Sequence, residues 1–330
     1  MQQQELRQAR GSGVAELADR ASEAKAVTAP LISTLIFSIL LGLFCGVALA
    51  LLLEALDNTV RSPDEVVRQT GLPLLGAIPL LEDATPQVIT LSAPQSPVSE
   101  AYRTLRSNIS FALTDLPARS LLVTSALGGE GKSAVAANLA VITAHAGQQV
   151  YLVDTDLRKP VQANLFGCEP GKGLTNVLVG EASIDDVLQD TGVPGLNLIA
   201  TGPLPPNPAE LLDSARMTEV IDELHKRADV VIFDSPPALL LADAIILSSK
   251  TDRVIMTAES GRVTVEAFRE VIRLMEHARG SLLGVVLNKY RVPTAGYYQY
   301  YYEDGPTNPA AGPANGQANQ IDEIDDGGTF

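Results

Sequence analysis

The stretch that decides the fold is Leu121–Ser133, LLVTSALGGEGKS, in which a short apolar run leads into glycines followed by Lys132 and Ser133. The pattern predicts a buried strand, a tight turn and the start of a helix. In a P-loop, glycines let backbone N–H groups approach phosphate oxygens, the lysine reaches the β- and γ-phosphates, and the serine holds Mg²⁺. This chain has Ala126 where the full pattern has its first glycine, so the segment is a variant P-loop.

Short apolar runs alternate with helical patterns from residue 120 onward. This alternation predicts an α/β fold, a doubly wound and mostly parallel sheet of the P-loop NTPase type with helices on both faces. Ligands of such sheets bind at the carboxyl ends of the strands. The predicted strands of this sheet are Leu121–Thr124, Val150–Val153, Leu196–Ala200, Val230–Phe233, Arg253–Thr257 and Leu283–Leu287. The run Leu74–Ile78, in the linker that precedes this domain, is also compatible with a strand.

Acidic side chains follow two of these predicted strands. Asp154 ends the run VYLVD, with Asp156 and Arg158 just beyond it, and Asp234 ends the run VVIFD. Carboxylates at one sheet edge, beside a P-loop serine, are typical of a Mg²⁺-nucleotide site. Each aspartate taken alone is also compatible with a capping role, and it is their combination with the P-loop that favours the nucleotide site.

The overall composition excludes several classes of protein. A net charge of −15 over 330 residues argues against nucleic acid as the main partner, because phosphate backbones bind basic surfaces. The two cysteines, Cys45 and Cys168, form no disulfide framework, and the three histidines have no metal-site spacing.

One segment near the N-terminus is long and apolar enough to cross a membrane. Leu31–Leu53 contains 23 residues without a charge, and at 1.5 Å per residue a helix over it spans about 34 Å. The basic residues on its two sides are nearly balanced, so they do not decide its orientation. Because ATP is cytosolic, the P-loop predicts a single-pass protein of the inner or plasma membrane with its C-terminal side in the cytoplasm.

An amphipathic helix is predicted over Ser99–Leu113, just before the P-loop domain. It carries Glu100, Arg103 and Arg106 along one side, because residues three apart are neighbours on a helix surface. Two interpretations stay open: a salt bridge within the helix, or a docking edge for a neighbouring subunit.

The chain ends in a tyrosine cluster followed by an acidic tail. No lysine or arginine follows Arg291, and the segment lacks the apolar residues needed to build a core. The cluster is either an adhesive aromatic tail or a set of phosphate acceptors on a flexible tether. Its tyrosines are Tyr297, Tyr298, Tyr300, Tyr301 and Tyr302.

Together these motifs resemble a bacterial tyrosine autokinase (BY-kinase) of the polysaccharide co-polymerase, or chain-length-determinant, family. The resemblance covers about residues 25–303. It rests on a variant Walker A (SALGGEGKS), a Walker A′ (VYLVDTDLRKP), a Walker B (VVIFDSPP), the E-x-x-R-x-x-R helix, the tyrosine-rich end, and the segments GLPLLGAIP and TGPLPPNPAELL.

The resemblance implies a membrane-anchored protein-tyrosine kinase that uses ATP and Mg²⁺. It implies phosphorylation of the tyrosine cluster in trans within a homo-oligomeric ring, and control of exopolysaccharide or capsule biosynthesis and export. The implied partners are a tyrosine phosphatase, the polysaccharide export and polymerisation machinery, the membrane and further copies of the chain. Family members that fuse the kinase to the membrane part have two membrane helices, whereas one is predicted here, so we expect the remainder to be truncated or supplied by another chain.

The predicted roles of the site residues follow from phosphoryl transfer, which requires positioning and charge neutralisation. Asp154 is predicted either as the base that accepts the tyrosine proton or as a further water-mediated Mg²⁺ contact, and Arg158 either stabilises charge or holds its loop. Asn288 is predicted to touch the adenine. The predicted catalytic residues are Lys132, Asp154, Asp156, Arg158 and Asp234; the nucleotide-binding ones Gly128, Gly129, Glu130, Gly131, Lys132, Ser133, Ala134 and Asn288; and the metal ligands Ser133, Asp156 and Asp234.

The predicted domain organisation has five parts. They are an extracytoplasmic remnant (1–30), a transmembrane helix (31–53), a juxtamembrane linker (54–98), the P-loop kinase domain (99–292) and a disordered tyrosine-rich acidic tail (293–330). The alternative function is a membrane-bound ATPase switch like the cell-division and partition ATPases, without kinase activity. Those proteins have a signature lysine just before the two glycines of the loop, where this chain has Leu127.

Overall fold

The computed structural model describes residues 31–80, 88–169 and 171–291, which fall into two compact units divided after Asp57. The first described element is the helix α1 (Leu31–Leu56). Its stretch Leu31–Glu54 has a mean hydropathy of 2.8, and within the described residues it is the one helix long and apolar enough to cross a membrane. The apolar helix predicted from Leu31 is therefore present, and it ends three residues later than predicted.

The second unit is built on one eight-stranded sheet with the strand order β1-β8-β7-β2-β6-β3-β5-β4. Neighbouring strands are parallel except for the pair β4 and β5. The predicted doubly wound, mostly parallel sheet is confirmed. The strands are β1 (Leu74–Pro79), β2 (Ser120–Ser125), β3 (Val150–Asp154), β4 (Leu188–Asp190), β5 (Leu196–Ile199), β6 (Val230–Asp234), β7 (Arg253–Glu259) and β8 (Leu282–Tyr290).

One strand, β4, is absent from the sequence-based prediction. It has three residues, Leu-Gln-Asp, at the edge of the sheet, and none of them is buried. A segment this short and this polar has no periodicity to detect.

Helices connect and cover the strands of the second unit. The first of them, α2, begins with a capping box in which Ser62 and Glu65 bond each other's backbone N–H groups. The helices are α2 (Pro63–Thr70), α3 (Ile89–Ser92), α4 (Pro97–Asp115), α5 (Lys132–His145), α6 (Gln162–Phe166), α7 (Leu174–Leu178), α8 (Ile184–Val187), α9 (Pro208–Asp213), α10 (Ala215–His225), α11 (Ala242–Ser248) and α12 (Val265–His277).

Strand β2 lies in the middle of the sheet and is buried on both faces, which explains its continuous apolar sequence. Successive side chains of a strand point to opposite faces. Leu121 and Val123 accordingly join the hydrophobic core that contains residues of α4 and α5. Leu122 joins the core on the other face, with residues of α10, α11 and α12. Both faces of β2 thus fix its carboxyl end, from which the P-loop departs.

Candidate functional site

The P-loop connects β2 to α5 through residues 126–131, as the sequence predicts. Gly129 and Gly131 have φ angles of 86° and 90°, a region that favours glycine. A Cβ on Gly131 would lie 2.1 Å from the Asn288 amide nitrogen, so no other residue fits there without a shift of that side chain. The loop is therefore shaped as a cradle of backbone N–H groups at the start of a helix, which is an arrangement suited to phosphates.

Lys132 is the first residue of α5, and its ammonium lies among acidic groups. Its Nζ is 3.1 Å from Asp156 Oδ2, 3.9 Å from Asp234 Oδ1 and 3.2 Å from Ser133 Oγ. Burial opposes the charge on the lysine, but attraction from Asp234 and Asp156 outweighs it and holds the lysine pKa above its usual range. Lys132 is thus charged and part-buried at the carboxyl edge of the sheet.

Asp154 and Asp234 are cross-strand neighbours at the ends of β3 and β6, and both are fully buried. Burial raises the pKa of Asp154 to about 8, and the nearby charge of Asp234 acts in the same direction. Burial also raises the pKa of Asp234, although Lys132 pulls it down. Burial therefore favours the neutral forms of both carboxyls.

Each oxygen of Asp154 is occupied by backbone donors. Oδ1 accepts from the N–H of Asp156 at 3.1 Å, and Oδ2 accepts from those of Val161 at 3.1 Å and Gln162 at 3.0 Å. This is the geometry of a capping turn that shapes the loop after β3. It favours a holding role for Asp154, and the base role stays a prediction.

The residues present fit a magnesium ion bound together with a nucleotide. Burial disfavours the ionised forms of Asp154 and Asp234, and a divalent cation beside them would oppose that effect. Asp234 Oδ1 is buried and accepts no hydrogen bond within the described residues. That part of the chain has no cluster of three or more His, Cys, Asp or Glu suited to hold a metal unaided, in keeping with the few protein ligands that Mg²⁺ takes beside substrate phosphates.

Arg158 is held by a residue that the sequence analysis missed. Its Nε lies 2.8 Å from Asp243 Oδ2 and its second nitrogen 3.0 Å from Oδ1, so the pair is bidentate. Asp243 is fully buried in α11. Of the two roles open for Arg158, these contacts favour holding the loop.

Glu130 is one of the P-loop residues predicted to bind the nucleotide, which stays a prediction, and its side chain folds back beneath the loop. Its carboxylate accepts from the Leu127 N–H at 2.5 Å and the Glu259 N–H at 3.3 Å, and the residue is fully buried. Burial raises its pKa above the usual range. Only the backbone of Glu130 is left to face a phosphate, so its side chain is a brace between the P-loop and β7.

Asn288 and Lys289, at the end of β8, also support the P-loop. The Asn288 amide donates to the Glu130 carbonyl at 2.8 Å, and Lys289 Nζ donates to the Gly129 carbonyl at 3.0 Å. Asn288 therefore contacts the loop, and the adenine contact predicted for it stays a prediction. Lys289 also pairs with Glu259 at 3.0 Å, which links the loop to the end of β7.

A cavity of about 1310 Å³ opens over the P-loop. Gly128, Gly129, Gly131, Lys132, Ser133 and Ala134 line its base, together with Asp156 and Arg158. Its apolar wall comes from β1, α3 and α4 and includes Tyr102. The cavity is large enough for a nucleotide with space beside it for an acceptor side chain.

The helix α4 has the predicted charged side. Arg103 donates to Glu100 Oε2 at 2.7 Å and to the Pro94 carbonyl at 2.8 Å. The salt bridge within the helix is therefore formed, while docking of Glu100, Arg103 and Arg106 on another subunit stays a prediction. The tyrosine cluster lies outside the described residues.

Sequence reasoning missed several residues that support the site, among them Lys289, Asp243 and Gln162. Asp243 is a single acid in the apolar run ALLLADAIIL, and such an isolated charge predicts a buried partner, so this signal was available. Gln162 gave no signal because it follows a polar loop and belongs to no recognised motif. Its fully buried amide contacts both Ser133 and Asp234.

Comparisons with known proteins agree on one family. A model described as an AAA domain matches residues 118–283. Tyrosine-protein kinase YwqD of Bacillus subtilis is 41% identical over 214 residues, which is 65% of this chain and 90% of that protein. Putative tyrosine-protein kinase EpsB of Ralstonia solanacearum is 35% identical over 274 residues, which is 79% of this chain and 36% of the relative. The kinase domain of Escherichia coli tyrosine kinase ETK has a TM-score of 0.67 at 29% identity, covering 72% of this chain and 99% of that one.

The fold and the site define a P-loop nucleotide-binding protein. The chain belongs to the family of bacterial tyrosine-protein kinases, which is the class of enzyme that the sequence predicts. These relatives support the kinase over the alternative of an ATPase switch. The chain spans nearly all of one relative and about a third of another.

Proposed function

We propose that this chain is a membrane-anchored protein-tyrosine autokinase that transfers the γ-phosphate of ATP to the tyrosine cluster of neighbouring copies. The observation that carries the proposal is the position of Lys132. Its ammonium lies at the helix start that follows the glycine loop, within 4 Å of Asp156 and Asp234. A lysine in that position neutralises the phosphate oxygens as the γ-phosphate is transferred.

The nucleotide would be held mainly by backbone. The amides of the P-loop from Gly128 to Ser133 and the start of α5 receive the phosphates, and Ala134 continues that first turn. Ser133 would supply the hydroxyl ligand of Mg²⁺, with Asp156 and Asp234 orienting its waters. When bound, the metal supplies charge neutralisation between the phosphates and the carboxylates.

The acceptor tyrosine must lose its proton, and its hydroxyl has a pKa near 10. A base must lie within hydrogen-bond reach of that hydroxyl. The oxygens of both carboxylates are already bonded, those of Asp154 to backbone N–H groups and those of Asp156 to Lys132 and to the backbone of Arg158 and Lys159. What separates the two is that Asp156 lines the cavity, whereas Asp154 does not. Asp156 is thus the better placed of the two carboxylates to accept the proton, and Asp154 shapes the loop that presents it.

The helix over Leu31–Glu54 would anchor the kinase in the inner or plasma membrane, with the P-loop side in the cytoplasm where ATP is found. In a ring of such chains, the cluster from Tyr297 to Tyr302 would reach a neighbour's site. Each phosphate adds about −1.5 to −2 charge to an already acidic tail, so the modified ring should loosen. A tyrosine phosphatase would reverse the change, and the cycle would regulate exopolysaccharide or capsule synthesis and export.

A mixing experiment tests the transfer between copies. A Lys132→Met chain, which cannot transfer phosphate, is incubated with ATP, Mg²⁺ and an active chain that lacks residues 297–302. We expect phosphotyrosine on the Lys132→Met chain. If none appears there while the intact wild-type chain labels itself, transfer between copies is wrong. If it appears and the oligomer keeps its size, the loosening step is wrong.

A further inference from the structure

Gln162 connects three parts of the nucleotide site, although it belongs to none of the Walker segments. Its backbone N–H donates to Asp154 Oδ2 at 3.0 Å. Its side-chain Nε2 donates to Asp234 Oδ2 at 2.7 Å and to the Ser133 carbonyl at 3.0 Å. The residue is fully buried, so no water competes for these bonds.

The orientation of the Gln162 amide follows from its neighbours. Nε2 faces two acceptors, a carbonyl and a carboxylate oxygen, and only a donor can satisfy both. The other end of the amide, Oε1, is buried and accepts no hydrogen bond within the described residues. The amide thus contributes its N–H groups to the site and leaves its own carbonyl unsatisfied.

This contact makes the two oxygens of Asp234 unequal. Oδ2 is occupied by Gln162, while Oδ1 accepts no hydrogen bond within the described residues and lies 3.9 Å from Lys132 Nζ. Gln162 also bonds the carbonyl of Ser133, the residue whose hydroxyl is the proposed metal ligand. One side chain therefore bridges the Walker B carboxylate and the backbone of the P-loop serine.

We infer that Gln162 is a positioning residue that fixes Asp234 against Ser133 and leaves Oδ1 free for the hydration shell of Mg²⁺. The inference rests on the proposed role of Asp234 in orienting the waters of that ion. Ordering of a ligand by a fixed neighbour is a general property of metal sites, and loss of such a neighbour weakens metal affinity. Gln162 acts through Asp234 and is not among the residues that line the cavity over the P-loop.

The test measures Mg²⁺ dependence of nucleotide binding, separately from kinase activity. The purified full chain is titrated with Mg²⁺ at a fixed concentration of a fluorescent ADP analogue, and the same nucleotide is titrated in EDTA. The variant is Gln162→Met, which keeps the length of the side chain and removes the donor. The matched control is Gln189→Met on the edge strand β4. There Nε2 donates to the Glu169 carbonyl at 3.4 Å, and Oε1 is buried and has no hydrogen-bond partner among the residues that the structure describes.

We expect Gln162→Met to raise the midpoint for Mg²⁺ about tenfold. Its nucleotide affinity in EDTA and the midpoint of Gln189→Met should stay within about twofold of wild type, since neither depends on the position of Asp234. In an Asp234→Asn background, Gln162→Met should shift the midpoint by less than about twofold, because the charged carboxylate through which it acts on the metal is gone. Should Gln162→Met fail to fold, Gln162→Leu makes the same test.

The outcomes separate this inference from the proposed function. An unchanged Mg²⁺ midpoint in Gln162→Met, with a raised midpoint in Asp234→Asn, would overturn the inference and leave the proposed role of Asp234 intact. An equal loss of nucleotide affinity in EDTA and in Mg²⁺ for Gln162→Met would also overturn it, because it would show that Gln162 only shapes the loop. An unchanged midpoint in Asp234→Asn would refute the role of Asp234 and the inference with it.

Discussion

The ion pair between Arg158 and Asp243 separates the two roles that the sequence leaves open for the arginine. The arginine side chain is 38% exposed, whereas the aspartate is fully buried. Removing Arg158 therefore leaves an unpaired charge in the protein interior, whereas removing Asp243 leaves an unpaired charge that water can reach. If Arg158 holds its loop through Asp243, the two single variants should lose kinase activity together but differ in stability.

The expected stability changes follow from that asymmetry. Arg158→Ala leaves a buried carboxylate unpaired, a change that costs about 3–5 kcal/mol when no water reaches the site. We expect about 3 kcal/mol, since water reaches the arginine side of the pair. Asp243→Ala leaves an arginine that water can solvate, and should cost about 1 kcal/mol. The double variant should be more stable than Arg158→Ala alone, because it also removes the unpaired, buried carboxylate of Asp243.

Two quantities are measured for each variant. The free energy of unfolding comes from urea titrations monitored by circular dichroism, and the kinase activity comes from the rate of tyrosine phosphorylation. Both single variants should lose about tenfold in rate, as expected for groups that support a site without touching the substrate. Arg273→Ala, which removes an exposed pair with Glu270, is the control and should change neither quantity. If Asp243→Ala keeps the wild-type rate while Arg158→Ala loses it, the arginine acts directly on the phosphates and the holding role is refuted.

Three further predictions concern the loop, the pH dependence and assembly. Glu130→Ala should weaken nucleotide binding about tenfold in a fluorescence titration, by freeing the P-loop from β7; unchanged binding would contradict the brace. The pKa of Asp154 is raised by burial to about 8, so its contribution favours folding at low pH and is lost as the pH rises from about 4 to 8. The melting temperature measured in EDTA should thus fall more steeply with rising pH in wild type than in Asp154→Asn. Parallel plots of melting temperature against pH would refute this. Replacing Glu100, Arg103 and Arg106 by alanine should give a monomer on sedimentation, unless their role ends at the salt bridge within the helix.

The sequence predicts the sheet and the P-loop well because both depend on local patterns. The run from Leu121 to Val123 must be buried on both faces, and the positive φ angles of Gly129 and Gly131 require glycine. Walker-type aspartates at strand ends are placed by topology alone, which brings Asp154 and Asp234 side by side.

The parts of the site that the sequence does not predict depend on contacts between segments far apart in the chain. Gln162 reaches Asp234 across 72 residues, and Arg158 reaches Asp243 across 85. No local pattern specifies such pairs. The direction of a side chain is equally hidden: the sequence places Glu130 in the P-loop, but no local pattern shows that its carboxylate turns back to the Leu127 N–H.

The most direct test of the account is phosphotyrosine mapping on the purified full chain after incubation with ATP and Mg²⁺. We predict phosphate on residues of the cluster Tyr297–Tyr302 in wild type and none in Lys132→Met, with both proteins showing the same circular dichroism spectrum. A wild-type chain that hydrolyses ATP and carries no phosphotyrosine would contradict the kinase assignment, and a Lys132→Met chain that labels at the wild-type rate would contradict the site.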